Sequence, residues 1–180
     1  AAARVAAQAG ARMLVMHGRS RACKFSGAVR FAPVAEARRA LSIPVLVNGD
    51  IEDAQSAAQA LRNSYADGLM IGRGAIGQPW IFQVLAGGEE PSVAQRLHIM
   101  CEHLDHMHKF YGLQQGVRIA RKHVQAYLRR LNAAALIADF MRLDTAFAQL
   151  TWLGALTEST ILEQQTLAVT RPLAVNSHSG

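Results

Sequence analysis

Cysteine and long apolar runs are the features that this sequence has least of. Its 180 residues contain only two cysteines, Cys23 and Cys101, which are too few for a disulfide framework and form no closely spaced metal-binding pair. The apolar runs are short and interrupted by Arg or Gly, so neither a membrane-spanning helix nor a secretory signal peptide is predicted. These absences predict a cytoplasmic protein with no membrane partner and two ordinary thiols.

Acidic residues are fewer than basic ones, and the formal net charge is +6. Residues 1–90 contain ten Lys and Arg against seven Asp and Glu, and residues 91–180 contain nine against six. The excess is compatible with a polyanionic partner but does not identify one, because it is spread evenly along the chain. Hydrophobic residues make up 51% of the sequence, which is enough for a packed core.

Short apolar runs alternate with helical stretches in the first half of the chain. Three runs, at 13–17, 44–48 and 68–72, are bounded by Gly or polar residues, as is typical of strands buried on both faces. Helical patterns at about 31–41 and 53–61 separate them. This order predicts an α/β fold built from parallel βαβ units. The pattern ends near "LAGGEEPS", residues 85–92, where a domain boundary is expected.

The repeat length and the strand ends favour a TIM (β/α)8 barrel. His17 to Asn48 is 31 residues and Asn48 to Gly72 is 24, close to the ~30 residues per unit of a barrel of ~250 residues. A doubly wound open sheet has similar spacing. Each predicted strand, however, ends in polar residues, and in a barrel all strand ends converge on one rim where ligands bind.

The polar strand ends are suited to a sugar phosphate. Glycine lets backbone N–H groups approach a phosphate closely, and Arg donates charge-assisted hydrogen bonds to it. The residues that match a group such as the ribityl phosphate of a flavin are Asn48, Asp50, Gly72 and Arg73. The alternative interpretation is that Asn48-Gly49-Asp50 is only a turn before a helix cap and that Arg73 is a surface residue.

The second half is predicted to be helical. Ser92 and Gln95 form a capping-box sequence at the start of the first helix. Further helices are expected at about 114–131 and 135–153. The apolar stripe expected to face the core of the first helix consists of Val93, Leu97, Met100, Leu104, Met107 and Tyr111. Four histidines of this helix, His98, His103, His106 and His108, do not share one face, so no metal site is predicted.

A cluster of cations lies on the second helix and is expected to face away from its apolar stripe. No acidic residue lies between Arg118 and Arg130. A solvated basic face is the ordinary explanation, but cations without acidic partners repel one another unless an anion lies against them, and RNA phosphates are such an anion. The candidate RNA-binding residues are Arg118, Arg121, Lys122 and Arg129.

Four motifs, in this order, resemble the C-terminal portion of a bacterial tRNA-dihydrouridine synthase of the B-type branch. They are "MHGRSRACKFSG", "IPVLVNGDI", "ADGLMIGRGAIGQPWIF" and "GVRIARKHVQAYL". The resemblance extends from the first residues to about Leu150. Ser20 stands where the family has Thr, which keeps the hydroxyl group.

The resemblance implies a fold and an activity. The chain would hold the last three strand-helix units of the barrel at 1–88, a helical RNA-binding domain at 89–155 and a poorly ordered tail at 156–180. The enzyme would use FMN, recharged by NADPH, to reduce uridine to 5,6-dihydrouridine in tRNA. His17 would contact the flavin, Asn48 and Asp50 its ribityl and phosphate side, and Gly72 with Arg73 the phosphate. Arg19 would lie on the rim, facing flavin or RNA.

The family's general-acid cysteine and the lysine beneath its flavin belong to earlier strands and loops. Neither Cys23 nor Cys101 matches that cysteine, so no catalytic residue is assigned and the chain is expected to be an inactive fragment of an enzyme that is monomeric at full length. Cys23 beside Lys24 also resembles an activated thiol, although an ordinary loop residue is the favoured interpretation.

Two other functions stay open: a non-catalytic RNA-binding remnant, or a half-barrel of another flavin- or phosphate-binding enzyme.

Overall fold

The computed structural model describes residues 2–19 and 27–170, with side chains described as far as residue 160. The chain divides into two compact units, residues 1–90 and 91–180. The boundary lies two residues beyond the one expected from the sequence. Within the described residues, no helix combines the length and the apolar composition that crossing a bilayer requires.

The first unit contains a sheet of three parallel strands, β1 (Leu14–His17), β2 (Val45–Asn48) and β3 (Gly68–Met70), in the order β1-β2-β3. All three lie within the ranges predicted from their apolar runs. The helices of this unit are α1 (Ala2–Gln8), α2 (Ala32–Ala40), α3 (Ala54–Ser64) and α4 (Ile81–Leu85), and a 3-10 turn spans Arg73–Ala75. The α/β class with parallel strands is therefore confirmed.

The core of the first unit lies on one face of the sheet. Val45 and Val47 of β2 are fully buried against Val34 of α2 and Ala57 and Ala60 of α3. Side chains of a strand alternate between the two faces, and those of β1 alternate between half-buried and exposed. The prediction that the strands are buried on both faces is therefore wrong for β1, because within this chain the helices pack on one side.

The second unit contains helices and no strand among its described residues. Its helices are α5 (Val93–Arg130), α6 (Ile137–Met141) and α7 (Ala146–Thr170), and a 3-10 turn at Ala134–Leu136 precedes α6. Ser92 and Gln95 cap α5 reciprocally, as their spacing predicts. The single helix expected at 135–153 is wrong, because it is interrupted between Met141 and Ala146. Part of the tail expected from residue 156 belongs to α7, which extends to Thr170; residues 171–180 lie outside the described part.

Helix α5 consists of two arms that fold back on each other at Gly112. Gly112 has φ +76° and ψ 166°, a conformation that glycine adopts without strain. The arms touch immediately beyond the turn, since a Cβ on Gly116 would lie 2.9 Å from the Cα of His108. Further from the turn, the Nδ1 atom of His103 lies 3.1 Å from the hydroxyl of Tyr127. The arms at 93–111 and 113–130 therefore form a helical hairpin, which agrees with the two helices predicted from the sequence.

Buried apolar side chains from all three helices form the core of the second unit. They include Met100, Leu104, Val124, Leu128, Phe140 and Leu153. Val93 and Tyr111, predicted to belong to the core-facing stripe of the first arm, are exposed instead, since they lie at its two ends. Gln149 is fully buried and its side-chain amide donates to the carbonyl groups of Val117 and Leu143 at 3.3 and 3.4 Å.

Candidate functional site

The three strands end side by side. The parallel register pairs His17 with Asn48 and Asn48 with Met70, and the N–H of Gly18 continues the ladder by donating to the carbonyl of Asn48 at 2.8 Å. The segments that follow the strands enclose a cavity of about 170 Å³. Its lining residues are His17, Asn48, Gly49, Asp50, Ile51, Glu52, Gly72, Arg73 and Gly74. The structure thus brings together all five residues that were predicted to bind the cofactor.

Asp50 is the electrostatic centre of this cavity. Both terminal nitrogens of the Arg19 guanidinium donate to its two carboxylate oxygens, one of them at 2.7 Å. Arg19 also donates through Nε to the carbonyl of Gly27 at 2.8 Å, and its side chain is only 8% exposed. The guanidinium of Arg19 is therefore nearly buried and positions Asp50. Whether Arg19 also faces flavin or RNA stays a prediction.

Arg73 approaches the same carboxylate from the third strand end. Its Nη2 lies 3.4 Å from Oδ1 of Asp50, and its side chain is 62% exposed. Arg73 is thus the more exposed of the two arginines that contact Asp50. The guanidinium of Arg73 therefore supplies the cationic character of the cavity.

His17 and Asn48 are oriented by backbone groups. The N–H of Arg19 donates to Nδ1 of His17 at 3.1 Å, so the neutral imidazole carries its proton on Nε2 and can donate from that atom. The amide nitrogen of Asn48 donates to the carbonyl of Met70 at 2.7 Å. That bond fixes the side-chain orientation of Asn48 and leaves its amide oxygen as an acceptor.

Backbone conformation shapes the loop after β2. Gly49 has φ +141° and Asp50 has φ +48°, so two consecutive residues adopt positive φ. Asp tolerates the left-handed region better than most residues. The loop then passes so close to the third strand end that a Cβ on Gly74 would lie 1.9 Å from the carbonyl oxygen of Ile51. Sequence reasoning identified Asp50 but missed Ile51, Glu52 and Gly74; only the repeated glycines of "GRGAIG" pointed to a close approach.

The ion pair makes the stability contributed by Asp50 pH-dependent. The hydrogen bonds from Arg19 lower the pKa of Asp50 below its usual value of 3.8; desolvation opposes this effect, and the charges of Arg19, Arg73 and His17 add to it. A lowered pKa in the folded state means that the stabilisation is present above the pKa of the unfolded state and disappears as the pH falls through the folded value.

Replacing Asp50 by Asn is therefore expected to destabilise the protein at pH 7 by up to about 1 kcal/mol, the range for partly exposed ion pairs. Asn also tolerates positive φ, so the loop conformation is retained. The difference in unfolding free energy between the wild type and Asp50→Asn should shrink as the pH is lowered below about 4. Urea unfolding at several pH values measures it. A difference that stays constant down to the acid limit would show that the carboxylate charge contributes nothing.

The candidate RNA-binding residues lie on the second arm of α5 and do not share one environment. Arg118, Lys122 and Arg129 are exposed, and within the described residues the side chains of Arg118 and Lys122 form no hydrogen bond or ion pair. Arg121 is half-buried, because it lies at the border of the apolar stripe, and it donates to the carbonyl of Leu143 at 3.0 Å. The expectation that all four share the exposed face is therefore wrong for Arg121.

An open cavity of about 660 Å³ lies against this arm. Its lining residues are Gln114, Gln115, Val117, Arg118, Ile119, Arg121 and Asp144. The Nε of Arg121 is buried and has no partner among the described residues. No local pattern indicated that Asp144 and the two glutamines would line the same space as the cations.

Cys101 does not have the environment of an activated thiol. It is half-buried, and desolvation raises its thiol pKa, an effect that a contact with the Thr157 hydroxyl at 3.7 Å only partly opposes. The predicted ordinary thiol therefore agrees with its surroundings. Cys23 and Ser20 lie outside the described residues.

Fold and cavity together define a class of protein. Parallel strands end in glycines, an exposed guanidinium and a half-buried ion pair, and this arrangement is suited to binding an anionic group at the carboxyl ends of an α/β sheet. The comparison with known families is more specific. Residues 1–161 match the family model of the dihydrouridine synthases, described as "Dihydrouridine synthase (Dus)", and the chain belongs to this family.

Curated relatives agree with this assignment. The chain is 44% identical over 156 residues to the tRNA-dihydrouridine synthase B of Xanthomonas axonopodis pv. citri, covering 82% of this chain and 47% of that protein. It is 40% identical over 137 residues to the protein of the same name from Pasteurella multocida, covering 72% and 41%. The chain spans about half the length of these relatives. The resemblance to the B-type branch is confirmed, and an unrelated flavin or phosphate enzyme is no longer a candidate.

Proposed function

We propose that this chain contributes the flavin-phosphate side of a TIM (β/α)8 barrel and a helical RNA-binding domain to an enzyme that reduces uridine to 5,6-dihydrouridine in tRNA, with FMN as cofactor and NADPH as reductant. The observation that carries this proposal is the convergence of His17, Asn48, Asp50, Gly72 and Arg73 on one cavity in a chain of the dihydrouridine synthase family. A tRNA substrate is in keeping with a cytoplasmic location.

The sheet supports the barrel part of the proposal. Its strands are parallel and adjacent in chain order, which is the arrangement of neighbouring strands in a barrel. A doubly wound sheet departs from chain order at the point where ligands bind. The exposed residues on the second face of the sheet, Met13, Val15 and Met70, would then be covered by the interior of a closed barrel.

The cavity suits the phosphate end of FMN. At about 170 Å³ it is smaller than sites that enclose a whole cofactor, which start at roughly 300 Å³. Arg73 would bind the phosphate, and the space at Gly72 is open to it, since a Cβ there would meet no atom within 4 Å. Asn48 and Asp50 would accept hydrogen bonds from ribityl hydroxyls, and His17 would donate from Nε2. When bound, FMN supplies the hydride for the uracil ring, and NADPH replenishes it.

The second unit supports the RNA part of the proposal. Arg118 and Lys122 lie one helical turn apart and are exposed, and no acidic side chain of the second arm compensates them. Such a surface gains affinity for a polyanion by releasing counterions. Arg121 is held by the carbonyl of Leu143 and lines the cavity together with Arg118, so it is suited to fixing the position of one phosphate.

The RNA part is tested with Arg118→Gln combined with Lys122→Gln. If both residues hold tRNA phosphates, the double variant binds tRNA more weakly at low salt. The slope of log affinity against log salt should fall by about 0.7 to 0.9 for each phosphate that is no longer neutralised. Affinity for tRNA, measured between about 50 and 200 mM salt, gives both quantities.

Arg12→Gln with Arg62→Gln is the matched control, because it removes the same net charge from two exposed arginines of the first unit. An unchanged slope in the Arg118/Lys122 variant, or an equal change in the control, would mean that the basic residues of α5 are a solvated face. The second candidate function is a non-catalytic RNA-binding remnant. The protein expressed from its complete gene should retain flavin if it is the enzyme and should lack flavin if it is the remnant. That candidate is favoured only by the self-contained core of the helical unit.

A further inference from the structure

The turn of the α5 hairpin exposes apolar side chains at its tip. Phe110 is 82% exposed, Leu113 is 71% exposed and Tyr111 is 44% exposed. The rings of Phe110 and Tyr111 are in edge-to-face contact, with centroids 4.8 Å apart. We refer to residues 110–113 as the hairpin tip. Apolar groups concentrated at one exposed point of a folded unit mark an interaction surface more often than scattered exposed side chains do.

The hairpin tip stands on a rigid base. Directly below it, Gly116 packs against the backbone of Met107 and His108 so closely that a Cβ would lie 3.0 Å from the Met107 carbonyl oxygen. His108 is buried, and its Nε2 lies 2.9 Å from Oε1 of Gln149. Gln149 donates its amide hydrogens to carbonyls, so Nε2 of His108 is the donor in that bond. Helix α7 is thereby tied to both arms just below the turn, and the tip is held in place before any partner binds.

The side chains next to the tip are amides and cations. Gln114 and Gln115 follow Leu113 directly and line the 660 Å³ cavity together with Arg118 and Arg121. Of the acidic residues of this unit, Asp105 is paired with Lys109 at 2.5 Å, and Asp144 lines the cavity. Aromatic rings beside cations and amides are the combination with which proteins hold unpaired nucleic-acid bases, where a ring stacks on the base and cations hold the flanking phosphates.

We propose that the hairpin tip is a stacking site for an unpaired base of the RNA, with Phe110 as the principal stacking side chain and Arg118 and Lys122 holding the neighbouring phosphates. This inference rests on the proposed function and assigns the helical unit a second role there. The cations bind any RNA backbone, whereas the tip distinguishes loops with unpaired bases from continuous duplex. A substrate that presents loop nucleotides at its surface, as tRNA does, would be selected over double-stranded RNA of equal charge.

The test compares Phe110→Ala with the wild-type protein on two probes, tRNA and a fully paired RNA duplex. Base stacking on one aromatic ring is worth roughly 1–3 kcal/mol, or about 5- to 150-fold in affinity. Phe110→Ala should weaken tRNA binding by that factor and duplex binding by less than about twofold, without altering the salt slope, because the cations still neutralise the same phosphates. Phe110→Trp should restore tRNA affinity, since indole offers a larger stacking surface.

Phe82→Ala is the matched control, because Phe82 is 55% exposed on the first unit, away from the basic arm in sequence. Phe110 is exposed, so its replacement should leave the thermal midpoint unchanged. Unaltered tRNA affinity of Phe110→Ala, or equal weakening on the duplex, overturns the stacking site. Loss of self-association without loss of RNA affinity also overturns it and assigns the tip to a second copy of the chain. If wild-type protein binds no tRNA, the proposed function itself fails.

Discussion

Replacing Gly74 by alanine is expected to destabilise the first unit by about 3 kcal/mol, at the upper end of the range for added methyl groups in packed sites. The new Cβ would lie 1.9 Å from the carbonyl oxygen of Ile51 and 3.0 Å from its carbonyl carbon. Both are backbone atoms, so no rotamer change relieves the clash. Either the loop after β2 or the turn after β3 has to move, and both line the candidate cofactor cavity.

The measurement is urea unfolding of the protein expressed from its complete gene, together with the flavin it retains. Gly68→Ala is the matched control, because a Cβ there meets only the side chain of Leu46, at an ordinary 3.5 Å. Alanine also suits a strand slightly better than glycine. Wild-type stability and flavin content in Gly74→Ala would show that the two loops separate without cost, and the description of the cavity would then be wrong.

Replacing Arg73 by alanine is expected to weaken flavin binding by about 10- to 100-fold. A charge-assisted contact to phosphate is worth roughly 1.5–3 kcal/mol, and Arg73 supplies the exposed cation of the cavity. Stability should change little, because its contact with Asp50 is long, at 3.4 Å, and the side chain is largely exposed. Flavin absorbance after exhaustive dialysis of the protein expressed from its complete gene measures the effect.

Arg73→Lys refines this experiment. Lysine keeps the charge but cannot donate two parallel hydrogen bonds, so it should recover only part of the affinity. Arg62→Ala provides the control for removing an exposed arginine from the same unit. If Arg73→Ala retains as much flavin as the wild type, Arg73 does not touch the cofactor and the phosphate has to be bound elsewhere.

The elements of regular structure could be predicted from local patterns. The apolar runs at 13–17, 44–48 and 68–72 contain the three strands, because a buried strand requires a short apolar run ending at a turn. The capping box at Ser92 and the helical spacing of apolar residues predicted both arms of α5. The break before α7 was missed, although Thr145 gave a signal for it: its hydroxyl accepts from the N–H of Ala148 at 3.1 Å and so caps the new helix.

The candidate site was only partly predictable, because several of its contacts join residues far apart in the chain. The strand-end rule selected Asp50 and Arg73, but nothing local shows that Arg19 crosses 31 positions to pair with Asp50. The same holds for Gly74. A side chain at this position would collide with the backbone of Ile51, and the sequence does not show that the two residues lie close together. Helical spacing placed Arg121 with the exposed cations. In the structure its side chain is half-buried and donates to the carbonyl of Leu143, a residue whose proximity the sequence does not indicate.

The glycine turn of α5 also has a kinetic consequence. Contacts across the hairpin join residues close in sequence: His108 meets Gly116 beside the turn, and His103 meets Tyr127 further out. Each new contact closes only a small additional loop. The two arms can therefore pair progressively from Gly112 outwards at low entropic cost. The parallel pairs of the sheet, such as Leu14 with Val45, offer no such sequence of small steps, and folding slows as contacts become less local. The helical unit, including its basic arm, is thus expected to fold before the parallel strands have paired in their final register.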